Sequence, residues 1–163
     1  MLSAVTLSFA DLELWMPWAQ SVPSAQELRG VLSEGQTAFD GDREWNYALF
    51  ERISGELVGS AGLHRDEDPD CPEIGYWVRS DRTGRGYATT AARTLAGAAF
   101  AYLADVGRVK IRMDQANLAS AAVPPKLGFE LFGEENREIA ARGQTGQGFV
   151  WVLDRAKWTA AAG

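Results

Sequence analysis

Apolar residues at positions 2, 5, 9, 12 and 15 recur every three to four residues, the spacing of one helix face, so Leu2–Trp15 is expected to be helical until Met16-Pro17-Trp18 ends it. A second helix is expected over Ser24–Phe39, with Ser24 as N-cap, Glu27 as its capping-box partner and Leu28, Val31 and Leu32 on the apolar side. The period then shortens to two. Trp45–Ile53 reads as a strand, Ser54-Gly55 as a turn and Leu57–His64 as the hairpin partner. Beyond an acid- and proline-rich turn, Arg65–Pro72, the pattern predicts a strand at Glu73–Arg79, a helix over 85–103 and a strand at Arg108–Asp114. A short helix from Asn117 to Val123 and closing strands near Phe129–Phe132 and Phe149–Leu153 complete a mixed α/β sheet with a βαβ crossover at its centre. No internal repeat or low-complexity linker interrupts it.

At 163 residues and 46% hydrophobic, the chain can bury one substantial core and is too short for two ordinary domains, so residues 1–163 are expected to form a single domain. A net charge of −6 without any basic run argues against nucleic acid as a partner. Cys71 is the sole cysteine, which excludes an internal disulfide. With neither a signal segment nor a bilayer-length apolar run, the expectation is a cytoplasmic protein with no membrane partner.

The most informative stretch is the turn Thr83-Gly84-Arg85-Gly86-Tyr87-Ala88 between a strand and a helix. Consecutive backbone amides at a helix start suit a phosphate, and glycine allows both positive φ and close approach. A tight turn that binds nothing is the alternative. A Walker A loop is ruled out because no Lys-Ser or Lys-Thr ends the turn. A dinucleotide fingerprint would place the acid Asp114 at a ribose, but Thr89 stands where the third small residue belongs and the chain lacks length for the full fold.

Thr83–Ala88 after Glu73-Ile-Gly-Tyr-Trp-Val resembles the acyl-coenzyme A pyrophosphate loop of the GNAT acetyltransferases, with Thr83 in place of the usual Gln or Arg. Asn117-Leu-Ala-Ser120, followed by Lys126-Leu-Gly-Phe129, resembles that family's second motif. Trp15-Met-Pro-Trp18-Ala and Gly59-Ser-Ala-Gly-Leu-His64 are similar to segments of the RimJ/RimL branch, which acetylates ribosomal-protein N-termini. The resemblance covers nearly the whole chain and implies the GNAT acyl-CoA N-acyltransferase fold: a mixed central sheet, helices on both faces and a splayed central strand pair. Two departures stand out. The branch's usual first strand has no counterpart before the first helix, which would leave a sheet edge uncovered, and Pro124-Pro125 falls where relatives continue a helix, so that helix should stop or kink.

The implied reaction moves an acetyl group from acetyl-CoA to a primary amine, foremost a protein N-terminus, without a metal. A small-amine (aminoglycoside-like) acetyltransferase, a succinyltransferase and a non-catalytic acyl-CoA-binding module are the alternatives, and a homodimer is compatible with the family. A lysine with pKa about 10.4 is neutral in about one molecule in two thousand at pH 7, an α-amine near 7.8 in about one in seven, so a base matters more for lysine. By resemblance Glu73 is the base and Ser120 the proton donor to the leaving sulfur, and His64, a side chain that ordinarily titrates near neutrality, could relay the amine proton; the alternatives are a surface carboxylate at Glu73, a structural histidine, and a helix start at Asn117 and Ser120 that needs no substrate. Backbone amides of Thr83, Gly84, Arg85, Gly86, Tyr87 and Ala88 would hold the pyrophosphate, backbone groups of Trp77 and Val78 the pantetheine and oxyanion, and Asn117 and Lys126 further parts of the cofactor. Trp15, Trp18 and Trp45 are candidates for the acceptor cleft or for the core, the acids from Asp66 to Asp70 could attract a basic acceptor, and Tyr102 is expected to pack rather than act as an acid.

Overall fold

The computed structural model describes residues 1–161, with side chains described as far as Trp158. Its strands are β1 (Glu44–Phe50), β2 (Leu57–His64), β3 (Glu73–Val78), β4 (Arg108–Asp114), β5 (Glu130–Asn136) and β6 (Gln147–Asp154). Helices are α1 (Leu2–Trp15), α2 (Ala25–Asp40), α3 (Tyr87–Tyr102), α4 (Leu118–Ala121) and α5 (Arg155–Ala161). The six strands lie in the order β1-β2-β3-β4-β6-β5, antiparallel except for the parallel pair β3 and β4 that flanks the α3 crossover.

Local chemistry explains most boundaries. The capping box of α2 forms as expected: Ser24 Oγ accepts from Glu27 N at 3.2 Å and Ser24 N donates to Glu27 Oε2 at 2.7 Å. At the end of α1, Met16 turns extended immediately before Pro17, as the proline ring demands. α4 stops at Ala121, and Pro124–Leu127 continues as a 3-10 turn, the break expected of Pro124-Pro125.

Other boundaries differ from the pattern. β1 stops at Phe50 rather than at Ile53, because the favoured two-residue hairpin turns need positive φ at the first central residue, and of Ser54-Gly55 only the second, Gly55, has it, at 69°. The chain closes instead through a wider loop in which Glu51 N donates to Glu56 O at 2.9 Å, leaving Ile53 97% exposed. The last helix, α5, had no sequence signal strong enough to predict it; Trp158 anchors it by packing on Phe100, ring centroids 6.2 Å apart.

The two faces of the sheet are covered differently. Ile74, Val109 and Ile111 pack with Ala92, Ala96 and Ala99 of α3 in the main core. On the opposite face Val5 and Leu12 of α1 and Ala19 form a smaller cluster against Trp77. α2 buries no residue at all. β1 forms one edge of the sheet, and no strand precedes α1 among the described residues. None of the described helices is long and apolar enough to cross a membrane.

Candidate active site

The centre of the sheet is open. Parallel strands β3 and β4 share a single registered pair, Glu73 with Lys110, and diverge beyond it. A cavity of about 860 Å³ fills the gap and is lined from both sides of the sheet. On the α1/α2 side it touches His64, Glu73 and Trp77; on the α3 side it reaches Tyr76 and Ser120.

Strand register explains the first group. Glu44, His64 and Glu73 stand directly opposite one another across β1, β2 and β3, and so share a face; the next row on that face is Asn46, Gly62 and Gly75. Glu73 lines the cavity as expected, but its Oε2 accepts from Arg112 Nε at 2.7 Å and pairs with Arg112 Nη2 at 2.5 Å. It is therefore a neutralised carboxylate rather than a free acid that attracts ammonium. His64 presents its ring over the two glycines, with Nδ1 3.5 Å from Glu44 Oε2.

The second group contains a residue that the sequence reading did not single out. Tyr76 projects to the α3 side, where its hydroxyl lies 3.1 Å from Ser120 Oγ and 3.3 Å from Ser120 O. Burial, only partly offset by the Ser120 hydrogen bond, pushes the Tyr76 pKa up to about 12, so the phenol stays protonated throughout the working range. Period-two alternation along Ile74-Gly-Tyr76 would have shown which face it occupies, though not its partner. Asn117 caps α4, its Oδ1 accepting from Ser120 N at 3.1 Å, and thereby orients the serine.

At the mouth of the splay, Gly84 and Gly86 both hold positive φ, 73° and 82°, which residues with a Cβ rarely adopt. Gly86 is the N-cap of α3 and supplies no side-chain cap, so the first-turn amides have no partner from that residue. A Cβ at either glycine would meet nothing within 4 Å, so the cradle is open. Thr83 Oγ1 donates to Ser80 O at 3.1 Å, Arg85 is exposed, and the Tyr87 hydroxyl is tied to Glu51, which leaves the backbone as the binding element. Ala88 packs against the main core. These residues fit a diphosphate held by amides and the helix dipole.

Trp15 and Trp18 line the cavity at the end of α1, Trp18 being 53% exposed. Trp77 lines it too, whereas Val78 and the exposed Lys126 lie outside the lining. Trp45 does not join the other tryptophans: it falls on the α3 face, packs against the main core and carries Arg65 5.5 Å above its ring. Tyr102 is 85% exposed and packs on nothing substantial, contrary to expectation, because it ends its helix past the last buried turn.

The acidic turn is also internally spent. Asp66 pairs with Lys110 at 2.6 Å, and Asp68 and Asp70 pair with Arg108 at 3.2 and 3.3 Å, so these acids staple the turn to β4 instead of attracting an acceptor. Asp114 is 6% exposed and accepts from Ala116 N, Thr145 N, Thr145 Oγ1 and Gly146 N. With that shell complete it cannot receive a ribose, and the dinucleotide alternative falls. Burial alone would raise the Asp114 pKa, but these hydrogen bonds outweigh it and hold the carboxyl below its ordinary range.

The GNAT acetyltransferase domain model matches residues 3–130. YdaF of Bacillus subtilis (strain 168), a candidate ribosomal N-acetyltransferase, is 32% identical over 105 residues, 64% of this chain and 57% of that protein. The match thus spans a little over half the length of that relative. Among solved structures, the ribosomal-protein alpha-N-acetyltransferase RimL in complex with coenzyme A superposes with a TM-score of 0.84 at 21% identity, covering 94% of this chain and 85% of its own. A probable acetyltransferase superposes with a TM-score of 0.87 at 26% identity, covering 96% and 87%. With the family model matched from residue 3 to residue 130 on this splayed sheet, the chain belongs to the GNAT acetyltransferase family.

Proposed function

We propose that the chain transfers an acetyl group from acetyl-CoA to a primary amine, with a protein N-terminus as the leading acceptor. One observation carries the reading. The cavity passes through the sheet where β3 and β4 part, with proton-accepting groups on one face and the Tyr76–Ser120 hydroxyl pair on the other. A thioester lodged in the gap would meet the amine from the α1/α2 side and proton donors from the α3 side.

In this reading the amides of Thr83–Ala88 hold the diphosphate, and Arg85 and Lys126, both exposed, supply positive charge to the outer part of the nucleotide. The backbone of Trp77 and Val78, unpaired by β4, lies beside the pantetheine and the developing oxyanion. Asn117 orients Ser120, and Ser120 protonates the departing sulfur, with Tyr76 hydrogen-bonded behind it. The amine proton leaves toward the row of His64 and Glu73. Trp15 and Trp18 wall the acceptor side. YdaF, named for ribosomal N-acetylation, supports an N-terminal amine over a small amine of the aminoglycoside kind.

Release of free thiol from acetyl-CoA, succinyl-CoA or longer donors against a panel of peptides and small amines tests the reading. Thiol release with acetyl-CoA and an N-terminal peptide is expected, and Ser120→Ala should lower kcat by about a hundredfold. Coenzyme A affinity in calorimetry should be kept in that variant. Binding of coenzyme A with no thiol release for any amine would instead identify a non-catalytic acyl-CoA-binding module.

A further inference from the structure

We infer that His64, held from behind by Glu44, is the base that takes the proton from the attacking amine, and that Glu73 is not. The inference rests on the acetyl-transfer reading above.

Glu44, His64 and Glu73 occupy one row of the sheet, yet they are not equivalent. The Glu73 carboxylate is tied through Oε2 to two nitrogens of Arg112, so its charge is already paired. Other charged side chains of the cavity wall are likewise committed: Glu27 to its helix cap, Asp114 to its shell of amides, and Arg137 to Glu135 at 3.5 Å. His64 stands in the same wall without a cationic partner, and its Nε2 has no hydrogen bond among the described contacts.

Glu44 lies outside the cavity wall, behind the imidazole. Its Oε2 accepts from Asn46 Nδ2 at 3.2 Å and stands 3.5 Å from His64 Nδ1, so the carboxylate is fixed from one side and faces the ring from the other. A carboxylate behind Nδ1 favours the tautomer protonated there, which leaves the Nε2 lone pair for the cavity. Gly62 makes space for that nitrogen: a methyl there would stand 2.8 Å from His64 Nε2 and collide with Asn46 Oδ1, whereas one on Gly75 would be in ordinary contact, 3.5 Å from Nε2. Gly62 does not have positive φ, so backbone conformation does not account for it; room for the Asn46 amide and the His64 ring does.

The balance of the step follows. Nitrogen of the amine forms the new bond to the carbonyl carbon and loses a proton to His64 Nε2, which passes it to solvent. The carbon–sulfur bond breaks with its electron pair on sulfur, and sulfur takes a proton from the Ser120 hydroxyl. That hydroxyl regains its proton from solvent or through Tyr76. Glu44 is a positioning residue.

Acetyl transfer from acetyl-CoA to an N-terminal peptide by the full chain tests this. His64→Ala should lower kcat by at least about a hundredfold with coenzyme A affinity unchanged, and added imidazole should restore part of the loss. Glu44→Gln should lower kcat by about tenfold without raising KM for the amine, and Glu44→Asp should recover part of it. A His64→Ala variant within about threefold of the parent rate, or a Glu44→Gln effect confined to KM, overturns the inference while leaving the proposed function standing. A parent protein that acetylates no amine overturns the reading beneath it.

Discussion

Asp114→Ala is expected to lower the unfolding free energy by about 2 kcal/mol, because it leaves four part-buried donors without the charged acceptor they share. Those donors come from two places: Ala116 N beside the start of α4, and Thr145 and Gly146 in the connection before β6. The same connection braces the acceptor wall, since Gly143 N donates to Leu14 O at 2.9 Å and Gln144 Nε2 to Trp15 O at 3.2 Å. Loss of the carboxylate should therefore loosen both the Asn117–Ser120 turn and the end of α1. Denaturant unfolding reads the energy. The pH dependence has a definite sign: because the folded carboxyl titrates below its ordinary value, its contribution is fully present above about pH 4 and fades as pH falls through the lowered folded value. Asp114→Asn should lack that fading. An alanine variant as stable as the parent would show that the shell is not a clamp.

Gly59→Ala should cost about 2 to 3 kcal/mol and weaken coenzyme A binding as well. Gly59 pairs with Val78, and a methyl there would collide with the Trp77 carbonyl oxygen and stand 3.1 Å from Val78 Cα. Backbone, unlike the tip of a side chain, cannot rotate away, so β3 must move at the end where it has already left β4. Gly30 of α2 is the control: nothing lies within 4 Å of a Cβ there, and Gly30→Ala should stabilise by about 0.5 to 1 kcal/mol through helix propensity alone. Unfolding curves and calorimetry on both variants separate crowding from propensity.

Periodicity made the order of elements legible from α1 to β6, and the capping box located the start of α2 at Ser24. The glycine turn before α3 was legible because its signals are local: two positive-φ glycines and a helix start adjacent in sequence. What escaped depends on register. Arg112 reaches Glu73 from a strand 39 residues away, and nothing along the chain announces that the carboxylate will be neutralised. Tyr76 and Ser120 are 44 residues apart and meet only because β3 and α4 bracket the same gap. Along the chain the acids of the β2–β3 turn read equally as a solvated turn or as an attractor for a basic acceptor, whereas in the fold β4 supplies Arg108 and Lys110 against them. The sequence leaves Trp45 between cleft and core for a related reason: alternation says that it shares a face with Leu63, but which face holds the cavity is decided by where α3 packs.

Crystals grown with acetyl-CoA provide the most direct measurement. The account predicts the diphosphate within hydrogen-bonding distance of the Gly84–Ala88 amides and the thioester in the gap between β3 and β4, near Ser120. A ligand bound elsewhere, with that turn unoccupied at saturating acetyl-CoA, would contradict it.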